Sequence, residues 1–289
     1  TDLAAQFVVA CHRWEQEDVK AREQTAGQAL QVLKTNGFVV LDGLFDGRRF
    51  EELEQNAAEF LGTHQAGLVP QPLRAGRTEG HLPCSLPWKN DWLKHPLILD
   101  VVAKYLKNCL AAGRTQEEQQ WALVQWLTSG ADLDWFQSPE WGPKPGNLLD
   151  APPAGCSDVG SPRDCGPFFG RISLIKVPAG SEPQKYHRDI NFPGPAAQLT
   201  VQVSLTPLLA NNGPLAFTPG SHRMATPGYD VIASPPVGSV VLYDSFVEHR
   251  GIENHTQKDR YAMYYEFEMR GVFSGYTDAH FGPESAKHT

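Results

Sequence analysis

The chain of 289 residues is 41% hydrophobic and 20% charged, a balance that argues against disorder along most of its length. Its formal net charge of −8 at pH 7 weighs against a nucleic-acid binder and against a protein that binds anionic membranes. No run of about 18 apolar residues occurs, so we expect no membrane span.

The front of the chain carries helical patterns around one short strand. Residues 3–34 are rich in Ala, Gln, Glu and Leu, which predicts one or two amphipathic helices. The apolar run at 37–41 (Gly-Phe-Val-Val-Leu) is typical of a strand, and Asp46 is a suitable N-cap for a helix that ends near Leu61. Residues 97–128 again predict helix.

A segment rich in Pro and Gly follows over 129–168. Irregular segments of this length are commonly binding loops or lids, and we expect an ordered insertion near a site. Its aromatic side chains Trp135, Phe136 and Trp141 are candidates for a wall of a substrate pocket.

The five cysteines are scattered and form no CxxC motif, which argues against a zinc ribbon or a thioredoxin-type site. Cys156 and Cys165 flank a Gly/Pro-rich loop, and the sequence leaves open whether they are bridged or are reduced thiols. We expect a cytoplasmic protein, although a targeting peptide removed before Thr1 is compatible with the sequence.

The back of the chain changes to a strand pattern from Arg171 onward. Short segments rich in Val, Ile, Tyr, Phe and Thr alternate with turn signals at 211–214 (Asn-Asn-Gly-Pro) and 219–220 (Pro-Gly). This spacing predicts an antiparallel barrel or jelly roll. The predicted strands are 171–177, 199–205, 214–217, 238–243 and 260–269.

Two histidines and a carboxylate stand out in this half of the chain. On an extended strand His187 and Asp189 point to the same face, because side chains alternate. His249 follows a second strand and adds another imidazole. Two histidines with one carboxylate occupy one face of an octahedral ion and suit non-haem Fe(II), while a zinc site is also compatible with these ligands.

Arg260 is a fourth candidate for the same site. The turn-rich residues 253–259 predict a hairpin that places residue 260 opposite residue 249. Opposed residues share a face of a sheet, so the guanidinium would enter the same cavity as His249. There it would hold a carboxylate through two parallel hydrogen bonds.

The back half resembles the phytanoyl-CoA dioxygenase family of Fe(II)- and 2-oxoglutarate-dependent oxygenases. The resemblance covers 170–268, and an opening strand at 36–42 is similar as well. The interval from the distal histidine to the arginine, 260 − 249 = 11 residues, fits the family pattern. The segments that carry the resemblance are His187-x-Asp189, 212–222 (Asn-Gly-Pro-Leu-Ala-Phe-Thr-Pro-Gly-Ser-His) and the stretch from Gly238 through His249 to Arg260.

The resemblance implies a mainly β fold with flanking α-helices. Its core would be a double-stranded β-helix, a cupin-like jelly roll, packed by the N-terminal helices. We expect a single oxygenase domain over 1–289. Its expected parts are a mostly helical front with one core strand (1–128), a Pro/Gly-rich insertion or lid (129–168), a catalytic jelly roll (169–271) and a tail (272–289).

The resemblance also implies the roles of the site residues. His187, Asp189 and His249 would be the catalytic ligands of Fe(II), and Arg260 would anchor the distal carboxylate of the cosubstrate 2-oxoglutarate. With O2, the enzyme would oxidise an aliphatic C–H bond of a small molecule, with hydroxylation as the first expectation, and release succinate and CO2. A desaturating or cyclising variant is an alternative, as are a cupin-like metal-binding protein without oxygenase activity and a zinc-dependent hydrolase.

Further side chains are expected around this site. Gln202 and Ser204 lie on a strand that would cross the barrel near the metal, where they would hydrogen-bond the cosubstrate or the substrate. His222 is expected to be structural, because the metal already has three protein ligands, and His255 is expected to be solvated in a turn. Basic residues cluster near the site and hint at an anionic substrate. The candidate substrate contacts are Lys176, Arg188, Trp135, Phe136 and Trp141.

Overall fold

A computed structural model of the protein describes residues 5–11, 19–46, 50–63, 68–70, 76–81, 95–111, 168–189, 198–223 and 229–268. Within them, a large and a small β-sheet share an apolar core, and helices cover the other face of the large sheet. The predicted pocket residues Trp135, Phe136 and Trp141, the cysteines Cys156 and Cys165, and the tail 272–289 lie outside the described residues.

The helices are α1 (Val19–Asn36), α2 (Phe50–Thr63) and α3 (Pro96–Ala111), with short 3-10 helices at Ala5–Phe7 and Ser221–Arg223. The strands are β1 (Val8–Ala10), β2 (Phe38–Asp42), β3 (Leu68–Pro70), β4 (Thr78–His81), β5 (Phe168–Val177), β6 (Gln198–Ser204), β7 (Leu215–Phe217), β8 (Val231–Ala233), β9 (Val240–Asp244), β10 (His249–Gly251) and β11 (Arg260–Glu268). None of the helices in this part of the chain is long and apolar enough to cross a bilayer.

The large sheet has eight strands in the order β1-β2-β9-β6-β11-β5-β4-β3, and the small sheet has the order β10-β7-β8. All pairings are antiparallel except that of β1 with β2, which is parallel. Neighbours along the chain are therefore often far apart in the sheet, as expected where strands cross between two facing sheets.

One face of the large sheet packs against the helices. Helix α1 buries Ala26, Ala29 and Leu33, which recur three or four residues apart and so lie on one side of the helix. They join an apolar core with the helix-facing residues of the central strands, among them Val201 on β6 and Tyr265 on β11. Because strand side chains alternate, the residues between them face the other way.

The opposite face of the large sheet, called here the inner face, looks toward the small sheet. Phe38 of β2 stacks on Phe217 of β7, with ring centroids 4.5 Å apart, and Tyr243 of β9 lies 5.3 Å from the same Phe217 ring. Polar residues also occupy this face, including Gln202 and Ser204 on β6. The inner face is thus apolar at one end and polar at the other.

The front of the chain contains more strand than the sequence predicted. Residues 8–10, expected to be helical, form β1 beside β2, because the run Val8-Val9 has β-branched side chains and can extend the sheet. Strands β3 and β4 also come from this front part and continue the large sheet beyond β5.

The predicted hairpin that would place residue 260 opposite residue 249 is wrong. Strand β10 pairs with β7 in the small sheet, whereas β11 pairs with β5 and β6 in the large sheet. The intervening turn is fixed instead by Asn254, a fully buried residue whose Nδ2 donates to the carbonyls of Pro178 and Lys258 at 3.1 and 2.8 Å. The chain therefore crosses from one sheet to the other between the two residues.

Candidate metal centre

Three side chains that were singled out in the sequence meet between the two sheets. Oδ1 of Asp189 lies 3.7 Å from Nε2 of His187 and 3.6 Å from Nε2 of His249. One ligand atom from each residue falls within 4.8 Å of the others. With coordination bonds of about 2 Å, a single ion can reach all three atoms.

The backbone fixes which nitrogen of each imidazole faces the shared space. Nδ1 of His187 lies 2.9 Å from the Lys185 carbonyl, and Nδ1 of His249 lies 3.0 Å from the Val247 carbonyl. A carbonyl only accepts, so each Nδ1 carries the proton and each Nε2 presents a lone pair. Both rings are therefore in the tautomer that a metal ligand needs.

Short backbone contacts bring the two histidines together. His187 and His249 form an antiparallel bridge in which each N–H donates to the other's carbonyl at 2.9 Å. The next position that faces inward on β10 is Gly251, and a Cβ there would lie 2.7 Å from Oε1 of Gln184 and 2.9 Å from Nη2 of Arg77. Glycine lets the Gln184 and Arg77 side chains approach here without shifting, and the Gly251 N–H donates to Oε1 of Gln184 at 2.7 Å, which ties β10 to the segment that carries His187.

Asp189 is held by a residue that the sequence analysis did not select. Oη of Tyr243 donates a hydrogen bond to Oδ2 of Asp189 over 3.1 Å, which leaves Oδ1 toward the histidines. Burial is the main cause that raises the pKa of Tyr243, so its hydroxyl stays protonated and remains a donor. The sequence signal was only the alternation of β9, which turns residue 243 to the inner face.

Arg260 lies on the inner face, although not by the predicted hairpin. It starts β11 two positions before Ala262, which packs in the inner core, and the arginine is 1% exposed. Its Nε and Nη1 have no hydrogen-bond partner among the described residues. A buried guanidinium with unpaired donors suits an anionic ligand, which would offset its desolvation.

Gln202 and Ser204, on the same inner face, show the same deficiency. Both are fully buried, and the Gln202 amide and the Ser204 hydroxyl lack partners in the part of the chain that the structure describes. Ser204 lies directly opposite Ala262, and Gln202 opposite Tyr264. These groups and Arg260 fit a ligand with a carboxylate and further acceptor oxygens, which is the chemistry of 2-oxoglutarate.

A cavity opens beside the metal cluster. The charged groups of its described lining are acidic, since it includes Glu79 and Glu266 in addition to Asp189 and no Lys or Arg. The sequence analysis selected neither glutamate, because an isolated Glu in a strand carries no chemical pattern. The described lining residues are Glu79, Ser173, Ile175, Gln184, His187, Asp189, Thr200, Leu215, Tyr243, His249, Tyr264 and Glu266.

The predicted basic contacts with a substrate lie elsewhere. Lys176 is opposite Tyr261, on the face of β5 and β11 that packs toward the helices, and its Nζ pairs with Asp259 at 2.7 Å. The Arg188 guanidinium carbon lies 4.3 Å from the ring centroid of Phe246. Neither residue lines the cavity, because side chains adjacent to inward-facing positions alternate away from them.

The two other histidines for which the sequence predicted a role, His222 and His255, agree with that role. His222 is buried, and its Nε2 lies 3.1 Å from the carbonyl of Lys34 in α1. Burial is the main cause that lowers the pKa of His222 to about 4, so it is neutral. His255 lies in the turn after β10, where its side chain is 67% exposed and contacts Glu253.

Comparison with known proteins gives a family match and a set of similar folds. The sequence pattern of phytanoyl-CoA dioxygenase matches residues 33–262. No curated protein matches the chain.

Three similar solved structures are distant in sequence. The non-heme alpha ketoglutarate dependent carbocyclase SnoK from nogalamycin biosynthesis has a TM-score of 0.53 at 13% identity, over 87% of this chain and 89% of that one. A prolyl-4-hydroxylase from Pseudomonas putida has a TM-score of 0.52 at 12% identity, over 85% and 100%. AviO1 from Streptomyces viridochromogenes has a TM-score of 0.50 at 14% identity, over 85% and 96%. These likenesses confirm the predicted mainly β fold with flanking helices.

Proposed function

The chain belongs to the phytanoyl-CoA dioxygenase family of Fe(II)- and 2-oxoglutarate-dependent enzymes, and on this premise we propose that it hydroxylates an aliphatic C–H bond of a small molecule, with release of succinate and CO2. His187, Asp189 and His249 hold the metal in this proposal. Arg260 binds the distal carboxylate of 2-oxoglutarate, and Gln202 and Ser204 hydrogen-bond the cosubstrate.

One observation carries the proposal. One carboxylate oxygen lies 3.6 and 3.7 Å from two Nε2 atoms that present lone pairs, and one ligand atom from each of the three residues lies within 4.8 Å of the others. Two histidines with one carboxylate are the ligand set of non-haem Fe(II) oxygenases, which leave positions open for a cosubstrate and O2. A zinc hydrolase needs no 2-oxoglutarate, so that reading does not explain the buried Arg260.

The bound iron, with 2-oxoglutarate and O2, supplies the oxidant that removes hydrogen from the substrate. The protein positions the cosubstrate and the substrate and keeps water away from them. Arg260 and Gln202 are within the sheet interior and almost inaccessible to solvent, so the cosubstrate is bound where its charge is poorly screened and the interaction is strong. The adjacent cavity then leaves room for the substrate beside the metal.

The charge of the cavity lining is the observation that bears on the chemical class of the substrate. The sequence hinted at an anionic substrate, but the described lining offers carboxylates at Glu79 and Glu266 instead of basic groups. It therefore gives no support to a negatively charged substrate. Desaturation and cyclisation start from the same hydrogen removal, and they differ from hydroxylation because the product gains no oxygen atom.

The test is succinate formation from 2-oxoglutarate by protein loaded with Fe(II) under air, across a panel of small molecules. We expect turnover that requires the metal, and His187→Ala and Asp189→Ala should abolish it. His255→Ala is the matched control, because this histidine is exposed in a turn and should leave turnover unchanged. Full activity of either ligand variant would refute the assignment. A protein that binds metal but never consumes 2-oxoglutarate would favour the cupin-like alternative.

A further inference from the structure

A buried carboxylate lies at the base of the turn that leads to His249. Asp244 ends β9 and is 1% exposed. One of its oxygens accepts a hydrogen bond from the hydroxyl of Tyr105, and the other accepts one from the backbone N–H of Phe246 at 2.8 Å. Burial raises the pKa of Asp244 to about 7, whereas the bonds from Tyr105 and Phe246 and the charge of Arg188 lower it.

The turn itself has few degrees of freedom left. The N–H of Val247 donates to the Asp244 carbonyl at 2.8 Å, and the N–H of Asp244 donates to the carbonyl of Gly37 at 2.8 Å. The Ser245 hydroxyl lies 2.9 Å from that of Thr200 on β6. An Asp side chain that accepts from the N–H two residues later is a recurrent way to close such a turn.

The end of this turn touches the metal ligand. The Val247 carbonyl is the acceptor for Nδ1 of His249, so its position sets the orientation of the imidazole. A continuous series of hydrogen bonds thus runs from Tyr105 through Asp244 and the turn 244–247 to His249. Tyr105 belongs to α3, in the helical layer on the far side of the large sheet from the small sheet.

We propose that Tyr105 is a positioning residue for the metal centre, which acts through Asp244 and the turn 244–247 to fix the imidazole of His249. This inference rests on the proposed function, since it assumes that His249 binds the metal. Tyr105 makes no contact with substrate or metal in this scheme. Its role is to keep the Asp244 carboxylate an acceptor for the Phe246 N–H.

Loss of the hydroxyl has a definite physical consequence. Tyr105→Phe keeps the ring in the helix-facing core but leaves the buried Asp244 with one hydrogen-bond donor fewer. The carboxyl then favours its protonated form, which is a weaker acceptor, and the turn loosens. Because a displacement of about 1 Å in a ligand is enough to damage a site, metal affinity should fall about tenfold.

The experiment is a titration of the full chain with Co(II), whose visible spectrum reports its ligand geometry. Tyr105→Phe should weaken Co(II) binding about tenfold and alter the spectrum, and Asp244→Ala, which removes both acceptor oxygens, should do the same. Tyr265→Phe is the matched control: Tyr265 is buried in the same helix-facing core but lies on β11, away from the Asp244 turn. It should destabilise the protein comparably without changing affinity or spectrum.

The outcomes separate the two ideas. If unaltered protein binds Co(II) in a His249-dependent way, and both Tyr105→Phe and Asp244→Ala keep its affinity and spectrum, the positioning role is overturned while the metal centre stands. If binding in the unaltered protein does not depend on His249, the proposed function falls first. Should Tyr105→Phe fold poorly, Asp244→Ala alone still decides the question.

Discussion

Tyr243 donates its hydroxyl hydrogen to Oδ2 of Asp189, and the same tyrosine ring lies 4.9 Å from the ring of His249. One side chain therefore touches two of the three residues that we assign to the metal. By occupying Oδ2 it turns Oδ1 toward the imidazoles and disfavours a bidentate carboxylate. Asp189 thus owes its orientation to Tyr243 on β9 of the large sheet, whereas His249 lies on β10 of the small sheet.

Removal of this hydroxyl should weaken the metal site without removing a ligand. Tyr243→Phe is expected to lower Fe(II) affinity about 10- to 100-fold, the usual effect of losing an outer partner of a metal ligand. The measurement is an anaerobic Fe(II) titration with succinate formation as a second readout. Tyr264→Phe, which changes another tyrosine of the same cavity, is the control and should keep the affinity. Equal affinities in all three proteins would contradict the role of Tyr243.

Arg260 should matter for the cosubstrate rather than for the fold. Arg260→Met removes a buried cation that has unpaired donors among the described residues, so the free protein should be at least as stable as before. The KM for 2-oxoglutarate should rise about 10- to 100-fold, because charge-assisted hydrogen bonds contribute about 1.5 to 3 kcal/mol. In the metal-loaded variant, 2-oxoglutarate should no longer raise the melting temperature. Arg223→Met, at an exposed arginine, serves as control.

Gly37 is a position where only glycine fits. It ends α1 with φ at +84°, and a Cβ there would lie 2.6 Å from Nδ1 of His222 and 2.8 Å from Val247. Gly37→Ala should therefore cost roughly 2 kcal/mol or more of unfolding free energy, from backbone strain and overpacking together. Gly27→Ala, in α1 with open space around it, should instead stabilise the protein by up to about 1 kcal/mol. Chemical denaturation measures both, and a neutral Gly37→Ala would argue against the contact.

His222 should make the protein sensitive to acid. Burial lowers its folded pKa from 6.5 to about 4, so the unfolded chain binds a proton at higher pH than the folded protein does. Stability from this residue is complete above about pH 6.5 and is lost as the pH falls toward 4, by roughly 3 kcal/mol. Unfolding curves between pH 7 and pH 4 test this against His222→Gln, in which that part of the pH dependence should disappear. An identical pH dependence in the variant would contradict the buried neutral state.

The sequence predicted the metal cluster because its signal is local. His187 and Asp189 are two residues apart on an extended segment, which fixes their common face without knowledge of the fold. Arg260 lies on the inner face, but the described lining of the cavity beside His249 does not include it, and pairing of β11 with β5 and β6 decided its environment instead of the assumed hairpin. The 11-residue interval from His249 to Arg260 fits the family pattern, and the hairpin was a wrong explanation for it.

Other features left no readable pattern. Strands β8 and β10 have three residues each, too few for a period of two to appear against neighbouring loops. Tyr243 reads as an ordinary strand aromatic until β9 is known to pair between β2 and β6. From the sequence Tyr105 is an ordinary apolar-face residue of a helix, because no pattern predicts its hydrogen bond to the distant Asp244.

Strand β6 places chemistry and packing on adjacent residues: Leu199, Val201 and Val203 belong to the helix-facing core, and Thr200, Gln202 and Ser204 to the inner face. A substitution there affects one of these two faces, but deletion of a single residue would exchange them, burying amide and hydroxyl groups under the helices and placing apolar side chains on the inner face. Insertions and deletions within this strand should therefore disrupt the fold. Substitutions at Thr200, Gln202 and Ser204 can change the inner face without disturbing the helix-facing core.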